Sequence, residues 1–148
     1  MNSEGFKLVR YFEGLRLKPY LDGGNKATIG WGNTFYENRT PVKLTDKPIT
    51  KERAEELFQN ILLAFNRDVK KLVTVSLNEN QLAALTSLAY NIGIKQFKYS
   101  TVLRKVNSQH PFNEIEAAFF MYKYDNGKVV QGLINRRVKE IELFKKKI

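Results

Sequence analysis

The segment from Lys51 to Leu72 is the feature that most restricts how this chain folds. Its apolar residues recur at steps of three and four, which is the spacing of one face of an α-helix. They are Ala54, Leu57, Phe58, Ile61, Leu62, Phe65, Val69 and Leu72. Thr50 stands at the N-cap position, and Lys70 and Lys71 near the end suit the helix dipole. A helix of about 33 Å is therefore predicted, long enough to join two lobes of a small protein.

Shorter elements flank this helix. A helix is expected to begin at Asn2 or Ser3 and to end at Gly14, and strand formers alternate with turn residues from Arg16 to Phe35. Further helices are predicted over 78–92, 101–106, 112–122 and 133–146, the last with Val138 facing inward, and 125–127 is a turn. These elements predict one α+β domain over residues 1–148. Residues 1–50 would form a small lobe, 51–72 the connecting helix and 73–148 a helical lobe, with a cleft between the lobes.

Composition excludes several kinds of chemistry. The 148 residues contain no cysteine and a single histidine, His110. Disulfide scaffolds, thiol catalysis, zinc sites built on Cys and metalloprotease motifs that need two histidines are therefore excluded. His110 precedes Pro111 between two predicted helices, a position typical of a loop residue.

The charge points to a polyanionic partner. The net charge is +10, and residues 95–148 hold 12 basic and 5 acidic residues. Nucleic acid, an anionic membrane surface and a bacterial envelope polymer all fit this balance. No nucleic-acid-binding motif is present, and no apolar run is long enough for a transmembrane helix or a signal peptide. We therefore expect a protein that is made and kept in the cytoplasm.

Two carboxylates and a hydroxyl follow one another near the N-terminus. Glu13 closes the first helix, Asp22 precedes a Gly-Gly turn, and Thr28 begins the strand Thr-Ile-Gly-Trp-Gly. A helix end followed by a hairpin folds these positions back toward one another. Cleavage of a glycosidic bond needs one acid for the leaving oxygen and a second carboxylate for the positive charge or the water. The alternative interpretation is a solvated Glu and an ordinary turn Asp.

The motifs around these residues occur in a familiar order. The runs are Phe12-Glu13-Gly14-Leu15-Arg16-Leu17-Lys18-Pro19-Tyr20-Leu21-Asp22, Thr28-Ile29-Gly30-Trp31-Gly32, Gln81-Leu82, Ala89-Tyr90-Asn91-Ile92-Gly93, Ser100-Thr101-Val102-Leu103-Arg104 and Gly132-Leu133-Ile134-Asn135-Arg136-Arg137. Together they resemble the bacteriophage-type lysozymes, a family of glycoside hydrolases that act as muramidases. The resemblance spans nearly the whole chain, and it implies a lysozyme-like fold. Asn33 departs from the family pattern, which often has His or Thr there, and the loop 36–48 has no recognisable match.

The resemblance implies a role for each matching position. Glu13 matches the general acid, Asp22 the second carboxylate, and Thr28 a hydroxyl that places the water or shapes the site. Arg136 matches an arginine beside the catalytic Glu. The positions that match sugar-contacting residues are Thr34, Tyr90, Asn91 and Ser100. For Trp31, both a core position and a sugar-stacking platform stay open.

The implied activity is that of an endolysin. Such an enzyme hydrolyses the β-1,4 bond between N-acetylmuramic acid and N-acetylglucosamine in peptidoglycan, without metal or cofactor, and causes lysis of the host cell. The resemblance further implies an inverting displacement, a monomer, and a holin-type pore through which the enzyme passes from the cytoplasm to the periplasm and cell wall. The alternatives are a nucleic-acid-binding module, a wall-binding or permeabilising protein without catalysis, and a lytic transglycosylase.

Overall fold

The computed structural model describes residues 1–147. Its helices are α1 (Ser3–Glu13), α2 (Lys51–Leu72), α3 (Glu79–Ile92), α4 (Ile94–Lys98), α5 (Thr101–Asn107), α6 (Phe112–Phe119) and α7 (Gln131–Lys145). Its strands are β1 (Arg16–Leu21), β2 (Ala27–Gly30), β3 (Tyr124–Asp125) and β4 (Lys128–Val129), which form two antiparallel pairs. The predicted α+β class is confirmed, because the described chain is mostly helical with a small sheet.

Capping residues set the helix boundaries that the sequence predicts. Thr50 Oγ1 accepts the backbone N–H of Arg53 at 3.0 Å and begins α2. Asn78 and Gln81 form a reciprocal capping box at the start of α3, with side chain to backbone distances of 2.8 and 2.9 Å. Gly93 ends α3 with a φ of 92°, a conformation that glycine adopts at little cost. The predicted ends of α2 and α3 are therefore confirmed.

The chain divides into two compact units. The unit of residues 9–64 contains the β1–β2 hairpin, in which Tyr20 pairs with Thr28 and Leu21 with Ala27. The buried apolar residues of this unit are Val9, Ile29, Val42, Ala54, Leu57, Phe58, Ile61 and Leu62. The hairpin follows α1 directly, so a short stretch of chain carries Glu13, Asp22 and Thr28.

The loop 36–48 is held by side-chain contacts. Tyr36 Oη donates to Asp46 Oδ2 at 2.7 Å, and burial together with this carboxylate raises the pKa of Tyr36 to about 12. Both carboxylate oxygens of Glu37 accept from the guanidinium of Arg53 at 2.7 Å, and Asn60 donates to the same group. These hydrogen bonds, those of Arg53 above all, lower the pKa of Glu37 to about 2. The loop is thereby tied to α2.

The second unit comprises residues 1–8 and the chain from residue 65 onward. Its core is apolar, and α3 packs against α7 within it. The largest fully buried apolar side chains here are Leu85, Leu88, Phe97 and Phe119. The division into a small lobe, a connecting helix and a helical lobe, and the cleft between the lobes, remain predictions.

Some elements differ from the sequence-based expectation. The short helix α4 and the strands β3 and β4 are additions. The sequence predicts no element over 94–98 and only a turn at 125–127. Helix α6 ends at Phe119 and not at Tyr122, and α7 begins at Gln131. The expectation that Val138 faces inward is wrong, because its side chain is 37% exposed. Within residues 1–147, no helix has the length and apolar character needed to cross a bilayer.

Candidate active site

Glu13 is the last residue of α1. The following Gly14 has a φ of 70°, and its N–H donates to the carbonyl of Arg10 at 3.0 Å, so the helix stops there. The Glu13 side chain is half-buried. A carboxylate at this position lies near the negative end of the helix dipole, so helix stability does not favour an acidic residue here. This placement argues for a role other than stabilising the helix.

Asp22 lies at the β1–β2 turn, and one of its carboxylate oxygens holds that turn. Oδ1 accepts the backbone N–H groups of Gly24 at 2.9 Å and Lys26 at 2.8 Å. Both bonds fall on Oδ1, so they leave Oδ2 for another partner. The turn role that the sequence left open as an alternative is therefore present, and it also fixes the orientation of the carboxylate.

Thr28 is almost completely buried, with 2% of its surface exposed. Its Oγ1 donates to the carbonyl of Lys26 at 3.0 Å, which leaves the lone pairs of the hydroxyl oxygen for a proton donor such as water. In the hairpin register, Thr28 stands opposite Tyr20. Thr28 is thus held in place by the same turn that holds Asp22.

The pKa of Tyr20 responds to both acidic residues. Burial raises the pKa of the Tyr20 hydroxyl, and the negative charges of Glu13 and Asp22 raise it further, whereas Arg16 lowers it. The Arg16 guanidinium lies 4.4 Å from the centroid of the Tyr20 ring. Both acidic residues therefore raise the pKa of the one phenol that stands opposite Thr28 in the hairpin. The structure brings Glu13, Asp22 and Thr28 into one unit.

Gly32 lies directly against the Glu13 side chain. A Cβ atom on Gly32 would lie 2.5 Å from Glu13 Oε1 and 2.7 Å from its Cδ, closer than real Cβ contacts. The φ of Gly32 is 75°. The second glycine of the Thr-Ile-Gly-Trp-Gly run therefore leaves the space that the carboxyl group of Glu13 occupies.

For the wall-hydrolysing activity that the family resemblance implies, Gly32→Ala is expected to lower the rate about a hundredfold, because the added methyl group displaces the Glu13 carboxyl group from its position. Gly127→Ala is the matched control, since Gly127 has a φ of 76° and open space around its Cα. Both variants should lose about 1–2 kcal/mol of stability through backbone strain, and only Gly32→Ala should lose activity. Equal activities of the two variants, measured by clearing of isolated walls, would contradict this role.

Trp31 belongs to the packing beneath the hairpin. Its indole Nε1 donates to Glu55 Oε1 at 3.0 Å, and its ring centroid lies 6.0 Å from that of Phe58. Arg10 forms an ion pair with Glu55 at 2.7 Å, and its guanidinium lies 5.0 Å from the Phe58 ring centroid. These contacts favour the core interpretation of Trp31 over the sugar-stacking platform.

The residues predicted to contact sugar lie in different surroundings. Thr34 lines a cavity in the unit of residues 9–64. The Tyr90 ring packs against Phe65, with ring centroids 5.3 Å apart. Ser100 is buried and caps α5, since its Oγ accepts the N–H of Leu103 at 3.0 Å. Tyr90 and Ser100 belong to the other unit, and the sugar contacts of all these residues stay predictions.

Asn91 and Arg136 belong to a buried polar network on α3 and α7. Asn91 Oδ1 accepts from Arg137 Nη2 at 2.8 Å. Arg136 is 3% exposed and donates from Nη2 to the carbonyl of Ser87 at 3.2 Å and from Nε to Glu140 Oε2 at 3.4 Å. Arg136 is therefore a buried residue, and its predicted position beside Glu13 stays a prediction.

Comparison with known proteins identifies the family of the chain. The sequence matches the phage lysozyme family over residues 10–140. The chain belongs to the phage lysozyme family. The endolysin of Salmonella phage P22 is 37% identical, and the match covers 97% of each chain. In structure, the endolysin of Escherichia coli O157:H7 phage FAHEc1 matches 99% of this chain and 94% of its own with a TM-score of 0.84, at 30% identity.

Relatives in this family differ in length. The endolysin of Bacillus phage PZA is 35% identical over 97% of this chain, but the match covers only 54% of that relative. The chain thus spans about half the length of some of the curated relatives that it matches.

The structural match to the phage FAHEc1 endolysin confirms the lysozyme-like fold predicted from the motifs.

Two residues beside the candidate site carry no functional signal in the motifs quoted above. The sequence pattern predicts a strand residue at Tyr20 and a turn residue at Gly32. In the structure, both acidic residues raise the pKa of Tyr20, and Gly32 lies against the Glu13 side chain. The glycine at position 32 is itself a signal, since glycine often marks a place where another group approaches the backbone closely. No pattern in a single sequence indicates the position of the Tyr20 hydroxyl.

Proposed function

We propose that this chain is an endolysin that hydrolyses the β-1,4 bond between N-acetylmuramic acid and N-acetylglucosamine in bacterial peptidoglycan. The observation that carries the proposal is that one compact unit holds Glu13 against Gly32 of the Thr-Ile-Gly-Trp-Gly run, together with Asp22 and Thr28 on the β1–β2 hairpin. A pair of carboxyl groups, here Glu13 and Asp22, is what glycoside hydrolysis requires, and the hydroxyl of Thr28 lies in the same unit. Membership of the phage lysozyme family supports the same reaction.

Each residue has a defined part in this mechanism. Glu13 donates a proton to the glycosidic oxygen as the bond to the anomeric carbon breaks. Asp22, oriented through its Oδ1 contacts, offers Oδ2 to the developing positive charge and takes the proton that the attacking water loses. Thr28 accepts a hydrogen bond from that water through its hydroxyl oxygen. Water enters the face opposite the leaving group, which inverts the anomeric configuration.

The reaction products test hydrolysis directly. Digestion of isolated walls in water enriched in heavy oxygen is expected to yield reducing-end muramic acid that carries the label, because water is the nucleophile. Early NMR spectra should show the α anomer of the product first, since inversion converts the β linkage. A 1,6-anhydro end without the label, detected by mass spectrometry, would assign the protein to the lytic transglycosylases instead.

We further propose that the enzyme acts as a monomer and reaches the wall from the cytoplasm through a holin-type pore. The lack of a bilayer-spanning helix within residues 1–147 is compatible with this route. Expressed alone in a bacterial cytoplasm, the chain should lyse cells slowly, and a membrane-permeabilising agent should trigger rapid lysis. Equally rapid lysis with and without that agent, followed by culture turbidity, would rule the route out.

A further inference from the structure

A cavity of about 490 Å³ adjoins the β1–β2 hairpin within the unit of residues 9–64. Its lining includes Lys26, Ala27, Thr34, Phe35, Arg39 and Pro41. Lys26 is shared with the candidate active site, because its N–H donates to Asp22 and its carbonyl accepts from Thr28. A ligand in this cavity would therefore lie next to the groups that act on the glycosidic bond.

A narrow, hydrogen-bonded loop forms the other wall of the cavity. The N–H of Val42 donates to the carbonyl of Thr34 at 2.9 Å, and the N–H of Tyr36 donates to the carbonyl of Thr40 at the same distance. Phe35 and Pro41 form a backbone bridge between these two bonds. The loop that had no recognisable family match thus has a defined backbone next to the hairpin.

Arg39 has an unusual conformation at the end of this loop. Its φ is 71°, in the left-handed region that residues other than Gly, Asn and Asp rarely adopt. Its guanidinium lies 5.7 Å from the centroid of the Phe35 ring. Turn geometry alone would favour Gly or Asn here, whereas the arginine places a cation at the wall of the cavity.

The charge of the cavity suits a carboxylate ligand. No ion pair within residues 1–147 involves Lys26 or Arg39, and the described lining holds no acidic residue. Phe35 and Pro41 supply apolar surface beside the two cations. A guanidinium and an ammonium group beside an apolar wall fit a short acidic peptide.

We propose that this cavity binds a free carboxylate of the wall peptide attached to the muramic acid, so that Lys26 and Arg39 select peptide-bearing glycan over bare glycan. The proposal rests on the muramidase function proposed above, because it places the peptide beside the sugar whose bond is cleaved. It assigns a substrate-selecting role to the loop 36–48 through Arg39.

The first test compares the values of kcat/KM on peptide-bearing glycan strands and on the same strands after an amidase has removed the peptides. Wild type should favour the peptide-bearing strands, and the double variant Lys26→Gln, Arg39→Asn should reduce that preference about tenfold through loss of charge-assisted hydrogen bonds. The variant should fold for two reasons. Asn adopts a φ near 71° at little cost, and the hydrogen bonds of Lys26 with Asp22 and Thr28 come from its backbone, which the substitution keeps.

Lys43→Gln is the matched control, since it removes an exposed cation of the same loop that lies outside the described cavity lining. It should leave the preference as in wild type. An equal loss of kcat/KM on both substrates in the double variant, or an equal loss of preference in Lys43→Gln, would overturn the proposal.

The second test does not depend on hydrolysis. A soluble wall tetrapeptide is titrated into the protein, followed by NMR, and compared with the same peptide whose carboxylates are amidated. Amidation, or the double variant, should weaken binding at least tenfold. If amidation has no effect, the cavity is not a carboxylate site. If wild type cleaves neither glycan yet binds the peptide selectively, the muramidase proposal fails while the carboxylate site stands.

Discussion

Glu13→Gln is expected to abolish the clearing of isolated cell walls, with hydrolysis slowed by about 10²–10⁴-fold. The amide has nearly the shape of the carboxyl group, so it fits the space beside Gly32. It cannot supply the proton that the glycosidic oxygen needs as its bond breaks. The loss should appear in kcat, because the proton transfer takes place in the transition state.

Glu52→Gln is the control for this substitution. Glu52 is an exposed residue in the first turn of α2, and the same change there should leave wall clearing near the wild-type rate. Circular dichroism and a cooperative thermal transition should show that Glu13→Gln stays folded. If folded Glu13→Gln clears walls as fast as wild type, Glu13 is not the general acid and the proposed mechanism is wrong.

The elements that position this site could be predicted because local signals specify them. Asn78 and Gln81 cap α3, Thr50 caps α2, and a glycine follows α1 where Glu13 ends it. Each signal acts within a few residues, so a single sequence contains all the information needed. The order of Glu13, the turn Asp and the strand Thr then brings these groups into one unit.

Other features depend on contacts between distant residues. Helix α7 was expected to bury Val138, but Arg136, Arg137 and Glu140 are buried instead. Hydrophobic periodicity assigns charged residues to the surface, because a buried charge is unfavourable without a partner. The ion pairs of Glu140 with Arg136 and Arg137 form within α7, whereas Ser87 and Asn91 of α3 complete the network. The sequence of α7 alone cannot reveal that α3 covers these charges. The short elements α4, β3 and β4 carry too few residues for a periodic signal.

Glu140 is the centre of this buried network. It is fully buried, and its Oε1 lies 2.7 Å from Arg137 Nε. Its Oε2 accepts from Ser87 Oγ at 2.6 Å, from Arg137 Nη2 at 3.1 Å and from Arg136 Nε at 3.4 Å. One carboxylate therefore balances two buried guanidinium groups, and Arg137 in turn holds Asn91. Arg136 and Arg137 thus share a fully buried carboxylate as an ion-pair partner.

Glu140→Gln is expected to lower the free energy of unfolding by about 3–5 kcal/mol, because both guanidinium groups lose an ion pair with a fully buried carboxylate. The thermal midpoint should fall by about 10 °C or more. Glu142→Gln on the same helix breaks an exposed pair with Lys139 and should change stability by less than about 1 kcal/mol.

A double-mutant cycle shows whether the loss arises from uncompensated charge. Arg137→Met combined with Glu140→Gln should cost clearly less than the sum of the two single substitutions, because the double variant removes one stranded cation together with the anion. Chemical denaturation of the four proteins supplies the free energies. Strict additivity, or a Glu140→Gln variant as stable as Glu142→Gln, would show that the network contributes packing and not charge compensation.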